Sequence, residues 1–261
     1  MYDIMQRTAW KMTPPPAYGT FHLIFLIGGI LTCILLAFLL RKSKDRTIKR
    51  VLFGIGVFLL VTEVYKQLFY TYCSGGGKYQ WWIFPFQLCS VPMYLCLLLP
   101  FIKNERVTNW FYLFLTTYNL LGGFVSLFEP SGLSHEYWTL TLHAYVWHLL
   151  LVFIGFYLIA CKKSPEKVVE DFPKCLIMFF YLCGLATFFN IVFRDKGVRM
   201  FYISPFHSNP IIVFKDIERV CGFAVGVVVY VAALSIGAFI FCLISCLINR
   251  LRQKYTIKKY W

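Results

Sequence analysis

The chain has 261 residues, of which 59% are hydrophobic and only 15% are charged, and its formal net charge is +14. Because soluble domains carry about a quarter charged residues, this composition excludes a secreted disulfide scaffold, a disordered regulator and a cytosolic nucleotide-binding enzyme. We predict an all-α integral membrane protein. Basic loops are expected of such a chain, so the charge predicts no nucleic-acid partner.

Seven apolar runs are long enough to be transmembrane helices, which need about 20 residues. They are predicted to be helical because open strand edges in lipid would leave backbone amides unpaired. The runs are 20–40, 50–70, 80–101, 107–127, 138–160, 172–193 and 220–248. We therefore predict an extracellular segment over 1–19, a seven-helix transmembrane domain over 20–248 and a basic cytoplasmic tail over 249–261.

The basic residues in the loops predict the orientation. Sixteen basic residues lie in the tail and in the loops after the first, third and fifth runs, whereas eight lie on the other side of the membrane. Since basic loops stay in the cytoplasm, the sequence predicts an outer amino terminus, a cytoplasmic carboxyl terminus and a multi-pass protein of the cell membrane. Membrane lipids are the expected partners, and protein partners stay open.

The last outer loop, 194–219, contains five basic residues among aromatic residues and prolines. This mixture is typical of a segment at the membrane interface, although an ordinary loop lid has the same composition. Arg194 and Arg199 are candidate contacts for a phosphate group.

Ten cysteines are present, and Cys73 and Cys221 alone lie near the predicted outer surface. A disulfide between them stays an open alternative. No C-x-x-C motif and no paired Cys/His spacing indicates zinc. The sequence therefore predicts no metal and no cofactor.

Ionisable residues within spans are costly and indicate function, and here they cluster at one depth. With a helical rise of 1.5 Å per residue, Cys89 lies about 12 Å below the outer surface. His143 and His148 lie roughly 8 and 15 Å deep, and Glu63 and Lys66 about 10 and 6 Å deep. Polar residues in the same half are Asn119 and Asn190. The sequence predicts a cleft that opens outward.

Glu63 and Lys66 share a helix face and are expected to pair, either as a structural ion pair or as charges that line a site. The two histidines are five residues apart, about 140° around the helix, so at most one is expected to face a given partner. Each is alternatively a hydrogen-bonded structural histidine.

Cys89 differs from the other cysteines because Pro85 and Pro92 flank it. Both prolines remove backbone donors, so the helix is expected to be broken around Cys89. A membrane tolerates such a break only where the backbone is buried in protein or lines a cavity. His148 could activate the thiol as its base, and Gln87 and Asn119 are candidate oxyanion donors. The alternative is an inert cysteine.

Several of these motifs resemble those of the YwaF family, which is grouped with the eukaryotic transmembrane protein 164 family. The matching elements are Glu63-Val64-Tyr65-Lys66, the stretch Phe84–Cys89, a histidine in the fifth span, and Asn190 followed by Tyr202, Ser204 and Pro205. The resemblance implies seven helices and a phospholipid acyltransferase that uses a cysteine and a histidine. Carried over, Cys89 is the nucleophile and His148 or His143 its base.

Three functions remain open on the sequence. The first is an outward-facing acyltransferase or lipid hydrolase, with Glu63, Lys66, Gln87, Asn119, Asn190, Arg194 and Arg199 as substrate contacts. The second is a small-solute or ion transporter, although no internal repeat supports it. The third is a non-catalytic lipid-binding, ligand-binding or assembly protein, and a retinal protein is excluded because the seventh span contains no lysine.

Overall fold

The computed structural model describes residues 2–258, and these form helices and connecting segments without a β-strand. We number the helices in chain order. They are α1 Tyr2–Gln6, α2 Thr20–Leu39, α3 Asp45–Phe69, α4 Val91–Leu98, α5 Glu105–Thr116, α6 Tyr118–Phe128, α7 Trp138–Ala160, α8 Val168–Val192, α9 Ile212–Cys221 and α10 Phe223–Lys258.

Five helical segments among residues 2–258 are long and apolar enough to cross a membrane. One of them consists of α5 and α6 in succession, and the other four are α2, α7, α8 and α10. Of the two other predicted spans, α3 is 25 residues long and contains Glu63 and Lys66. The remaining one is the shorter apolar stretch Leu88–Phe101. The all-helical prediction is confirmed by this architecture.

Helix α7 is the centre of the bundle, and it packs against α2, α3, α5 and α6. Its side chains Tyr145 and Tyr157 are fully buried. Glycines bring the neighbouring helices close, as in many membrane bundles. A methyl group on Gly155 would lie 2.7 Å from Leu120 Cδ1 of α6, so a larger residue would require the Leu120 side chain to move.

Breaks in the helical backbone change the fourth and the seventh predicted spans. The fourth is divided at Thr117, whose φ and ψ of −120° and −87° are not helical. The seventh begins after Gly222, which adopts a φ of +89° that favours glycine.

Helix α10 continues to Lys258, so residues 249–258 of the predicted basic tail are helical. Hydrogen bonds hold this end of α10 to the last turn of α7 and to the loop that follows it. Asn249 Nδ2 donates to Pro165 O at 3.0 Å, and Arg252 donates to Ile159 O at 2.6 Å. Residues 259–261 lie outside the described part of the chain.

The amino-terminal segment covers the end of the bundle at which α7 begins. Met5 of α1 is buried against Phe69 and Leu140. Met12 N donates to Glu136 O at 2.8 Å, and Thr139 Oγ1 donates to Thr8 O at 3.1 Å. Residues 2–19 are therefore part of the folded domain that surrounds the site described next.

Candidate active site

Cys89 lies where the chain is not yet an α-helix. The segment before α4 contains two short 3₁₀ turns, Trp81–Ile83 and Leu88–Ser90, and α4 begins only at Val91 with Pro92 in its first turn. The predicted break around Cys89 is confirmed. Its consequence is that the depth predicted for Cys89 is wrong, since a rise of 1.5 Å per residue does not apply to residues 80–90.

A cavity of about 650 Å³, which we call the cysteine cavity, brings most of the predicted site residues together. Its lining includes, from the predicted set, Glu63, Lys66, Gln87, Cys89, His143, His148 and Arg199. Asn119, Asn190 and Arg194 do not belong to that lining. The volume is within the range of small-molecule sites.

Both histidines of α7 line this cavity, although they are separated by about 140° around the helix. The cavity also contacts Ala144 and Trp147, so it covers an arc of about 140° of the helix surface. Two side chains that point in different directions thus flank the same space. Sequence spacing gave the angle between them correctly but not the width of the cavity.

The two histidines have different surroundings. His148 Nδ1 lies 2.8 Å from Ala144 O. Because a carbonyl only accepts hydrogen bonds, Nδ1 carries the proton and Nε2 keeps its lone pair. His143 stacks at a tilt on Trp147 with ring centroids 5.4 Å apart, and its buried Nε2 has no hydrogen-bond partner.

Trp147 connects the histidine helix to the cysteine turn. Its indole Nε1 donates to Cys89 O at 3.0 Å, and the Lys66 ammonium lies 6.0 Å from its ring centroid. This single bond fixes the 3₁₀ turn of Cys89 against α7. Trp147 is not among the residues predicted from the sequence, although its position next to His148 was a usable signal.

The predicted pair of Glu63 and Lys66 is confirmed, with Lys66 Nζ 2.8 Å from Glu63 Oε2. The other carboxylate oxygen accepts from Gln67 Nε2 at 2.5 Å, and the same amide nitrogen donates to Ile83 O at 2.7 Å. Glu63 therefore binds Lys66 and Gln67 and does not orient a histidine. The network ties α3 to the segment that precedes Cys89.

Removing one member of this pair is expected to destabilise the protein. Glu63→Ala leaves the Lys66 ammonium without its carboxylate, and breaking a buried pair from one side costs about 3–5 kcal/mol. The double variant Glu63→Ala/Lys66→Ala should recover much of that loss. Thermal unfolding in detergent measures both variants, and equal stabilities of the single and the double variant would contradict this role.

A second group of amides holds the turn Met200–Tyr202, in which Phe201 and Tyr202 have φ of 55° and 57°. Such values are strained for bulky residues and are kept only where surrounding bonds impose them. Asn190 bonds both backbone groups of Met200, at 3.1 and 2.6 Å. Gln87 Oε1 accepts from Phe201 N at 3.0 Å.

The result of this strained turn is that Tyr202 lines the cysteine cavity beside Arg199. Burial, and to a smaller extent the Cys89 thiol, raise the pKa of Tyr202, with Arg199 opposing them. The phenol therefore stays protonated and can donate a hydrogen bond. Asn190 and Gln87, predicted as substrate contacts, both hold this loop by hydrogen bonds, and Gln87 also lines the cysteine cavity.

Asn119 also has a structural role where a substrate contact was predicted. It is 2% exposed, and its Nδ2 donates to Leu115 O at 2.7 Å and to Leu151 O at 3.0 Å. The donor is therefore engaged between α5 and α7. Arg194 is exposed and lies 3.6 Å from Asp195 Oδ1.

Replacing Asn190 is expected to loosen the strained turn. Asn190→Ala leaves the buried Met200 amide without its acceptor, whereas Met200 O still accepts from Ile203 N at 3.3 Å. Because one unpaired buried group costs about 1–3 kcal/mol, we expect the unfolding free energy to fall by about 2 kcal/mol. Thermal unfolding in detergent tests this, with Ser208→Ala in the same loop as a near-neutral control. Equal melting of the two variants would contradict the role of Asn190.

His135 is a third histidine in the lining, and it was not predicted. It lies in the loop before α7, where its backbone exchanges hydrogen bonds with Thr141 Oγ1 at 2.9 and 3.1 Å. Burial first, and Lys66 second, lower the pKa of His135, so its ring is neutral at pH 7. His135 was not predicted because it lies in a loop, whereas the ionisable candidates were residues within the spans.

All ten cysteines, including Cys73 and Cys221, are free thiols. The open alternative of a disulfide between Cys73 and Cys221 is therefore excluded in this structure. Cys89 is distinguished from the others by its 3₁₀ turn and its place in the lining of the cysteine cavity.

The apolar helices around this polar cavity define a multi-pass membrane protein. The model of the TMEM164 family matches residues 17–248, and the chain belongs to that family. The predicted grouping with the transmembrane protein 164 family is thereby confirmed. No curated protein and no solved structure gives a significant match.

Proposed function

We propose that this protein is an acyltransferase or lipid hydrolase of the cell membrane that acts on phospholipids through a thioester on Cys89. The observation that carries the proposal is the composition of one cavity, where a cysteine on a non-helical turn meets two histidines of α7. A nucleophilic thiol needs a base within the same site, and neutral imidazole is the commonest one.

His148 is the base in this proposal. Its Nδ1–H is held by Ala144 O, so the ring is oriented and Nε2 is the basic nitrogen. This arrangement follows the general pattern of a base positioned by a third group. His143 lacks a comparable hydrogen bond, and its role is to line the cavity next to Trp147.

The reaction has two balanced steps. Cys89 Sγ attacks the ester carbonyl as His148 Nε2 takes the thiol proton, and that proton then passes to the departing lysolipid oxygen. The products of this step are a thioester and a lysolipid. An acceptor hydroxyl or water then gives its proton to His148 and attacks the thioester. The carbon–sulfur bond breaks, the new ester or the free fatty acid leaves, and His148 returns the proton to Cys89 Sγ.

The charged and polar lining suits a phospholipid. The Lys66 and Arg199 cations face the cysteine cavity and complement a phosphate group. The protonated Tyr202 hydroxyl in the same lining is a donor for the oxyanion that develops on the carbonyl. We assign Tyr202 this role in place of Asn119 and Gln87, whose amides are engaged elsewhere.

The proposal includes seven crossings, with the cysteine cavity open to the outside. Support comes from the loop charges and from the stretch Leu88–Phe101, which with the segment before it provides a third crossing between α3 and α5. Residues 2–19 then lie outside and the end of α10 lies in the cytoplasm.

Cysteine labelling tests this orientation. Cys221 is exposed and lies on the proposed outer side, while Cys161 follows α7 on the inner side. A membrane-impermeant maleimide should label Cys221 in intact cells and Cys161 only after permeabilisation, with Cys221→Ser as the control. The reverse pattern would contradict the proposed orientation.

Reconstitution tests the activity itself. Purified protein is placed in phosphatidylcholine vesicles with a labelled acyl chain and a lysophospholipid acceptor. We expect labelled diacyl product, labelled free fatty acid or both. If neither labelled product forms faster than in protein-free vesicles, for every phospholipid headgroup tried, the proposed function is contradicted.

A further inference from the structure

A second cavity of about 470 Å³ lies between α4, α5 and α8, and we call it the apolar groove. All of its lining residues are aliphatic or aromatic. Tyr94 is among them, and its hydroxyl donates to Pro85 O at 2.6 Å. The groove thus offers carbon surface to an occupant, which excludes an ion or a polar solute as its ligand.

The groove has a direction, which the lining residues of each helix define. On α4 these residues are Val91, Leu95 and Leu98, which share a helix face. On α8 the lining extends from Leu185 back to Ile177. These intervals correspond to roughly 10–12 Å along the helix axes. The groove therefore runs lengthwise along the bundle, as the lipid chains of a bilayer do.

One end of the groove lies at the cysteine turn. Phe86 and Val91 line the groove, whereas Gln87, Cys89 and Ser90 between them line the cysteine cavity. The two spaces therefore have a common wall in residues 86–91. A lipid whose ester lies at Cys89 needs a place for its hydrocarbon chain, and the groove begins within three residues of that thiol.

The groove has a buried floor and an open rim. Leu95 and Leu182 are 5% and 8% exposed, whereas Ile177 and Tyr181 at the rim are 56% and 68% exposed. A chain could thus enter from the bilayer sideways and then pack against buried side chains. That distinguishes the groove from the flat lipid-facing surface of α10.

We propose that the apolar groove binds the acyl chain of the phospholipid donor while its ester group lies at Cys89. This inference rests on the proposed function and assigns the subsite for the chain. Because lipid tails are as apolar as the groove, a chain that enters it from the bilayer is held by van der Waals packing against the buried floor and not by transfer out of water. A chain long enough to fill the groove makes the most of these contacts.

Photocrosslinking tests the groove without requiring turnover. Cys89→Ala protein in phosphatidylcholine nanodiscs is irradiated with a small fraction of phosphatidylcholine that has a diazirine in its acyl chain, and labelled peptides are mapped. We expect labelling concentrated at the Leu95 and Leu182 peptides. Leu182→Trp fills the floor with the larger indole and should lower this labelling to the level found on the α10 peptides. Ile236→Trp, on the lipid-facing surface of α10, should leave it unchanged.

Two results would overturn the proposal. One is labelling of the groove no higher than that of α10, and the other is labelling that Leu182→Trp does not reduce. Either would mean that the labelled peptides contact ordinary bilayer lipid. If Leu182→Trp does not fold, Ile177→Trp at the exposed rim provides the same test. Groove labelling in Cys89→Ala, together with a wild-type protein that forms no thioester, would support the chain subsite and contradict only the proposed chemistry.

Discussion

Replacing Cys89 with serine should lower acyl turnover by at least about a thousandfold, because loss of a catalytic nucleophile has effects of this order or larger. The serine hydroxyl fits the space of the thiol, and Trp147 binds the backbone carbonyl of residue 89 and not its side chain. Folding should therefore be unchanged. Turnover is measured with labelled phosphatidylcholine vesicles, and folding by thermal unfolding in detergent.

Cys73→Ser is the matched control, since Cys73 is a partly exposed free thiol that does not line the cysteine cavity. It should retain full turnover. A Cys89→Ser protein with turnover close to that of the wild type would contradict nucleophilic catalysis. The cysteine cavity would then have to be interpreted as a binding site.

The second large effect is expected at His148. His148→Gln removes the base and should lower turnover about 10²–10⁴-fold, the usual contribution of general acid–base catalysis. His143→Gln should have a much smaller effect, below about tenfold, because its role is to line the cavity. Single-turnover measurements of thioester formation and of thioester decay should both slow in His148→Gln, since the same imidazole serves both steps.

Two results would contradict this assignment. A larger loss in His143→Gln than in His148→Gln would transfer the role of base to His143. Equal, small losses in both variants would mean that the thiol is activated by another lining group. Thermal unfolding of both variants distinguishes a loss of turnover caused by a folding defect from one caused by loss of the base.

The sequence predicted the residues of the cysteine cavity better than their contacts. Hydropathy and charge placed Glu63, Lys66, Cys89, His143 and His148 in one layer, because ionisable groups in lipid are costly and tend to share a site. The structure has all five in one lining. The prolines around Cys89 also predicted the local break, since a missing amide is a local property of the chain.

The amides were harder to predict because their partners are distant in sequence. Asn190 and Gln87 bond backbone groups of Met200 and Phe201, and Asn119 bonds Leu151. Depth along a helix does not give the direction in which a side chain points. The left-handed conformation of Phe201 and Tyr202 had no sequence signal either, because neither residue is a glycine.

The ends of some helices also differ from those predicted from the sequence. Helix α10 continues past residue 249, where Asn249 bonds Pro165 in the loop after α7 and Arg252 bonds Ile159 in the last turn of α7. The break at Thr117 lies within an apolar run that hydropathy treats as continuous. Composition alone therefore predicts the presence of these helices more reliably than their ends.

The most direct test of the account is the intact mass of the protein purified from membranes, measured before and after treatment with neutral hydroxylamine. We predict a mass increase equal to a fatty acyl chain that hydroxylamine removes and that Cys89→Ala lacks, while Cys73→Ser retains it. The absence of any labile adduct in the wild type during turnover, or an adduct that persists in Cys89→Ala, would contradict a thioester on Cys89.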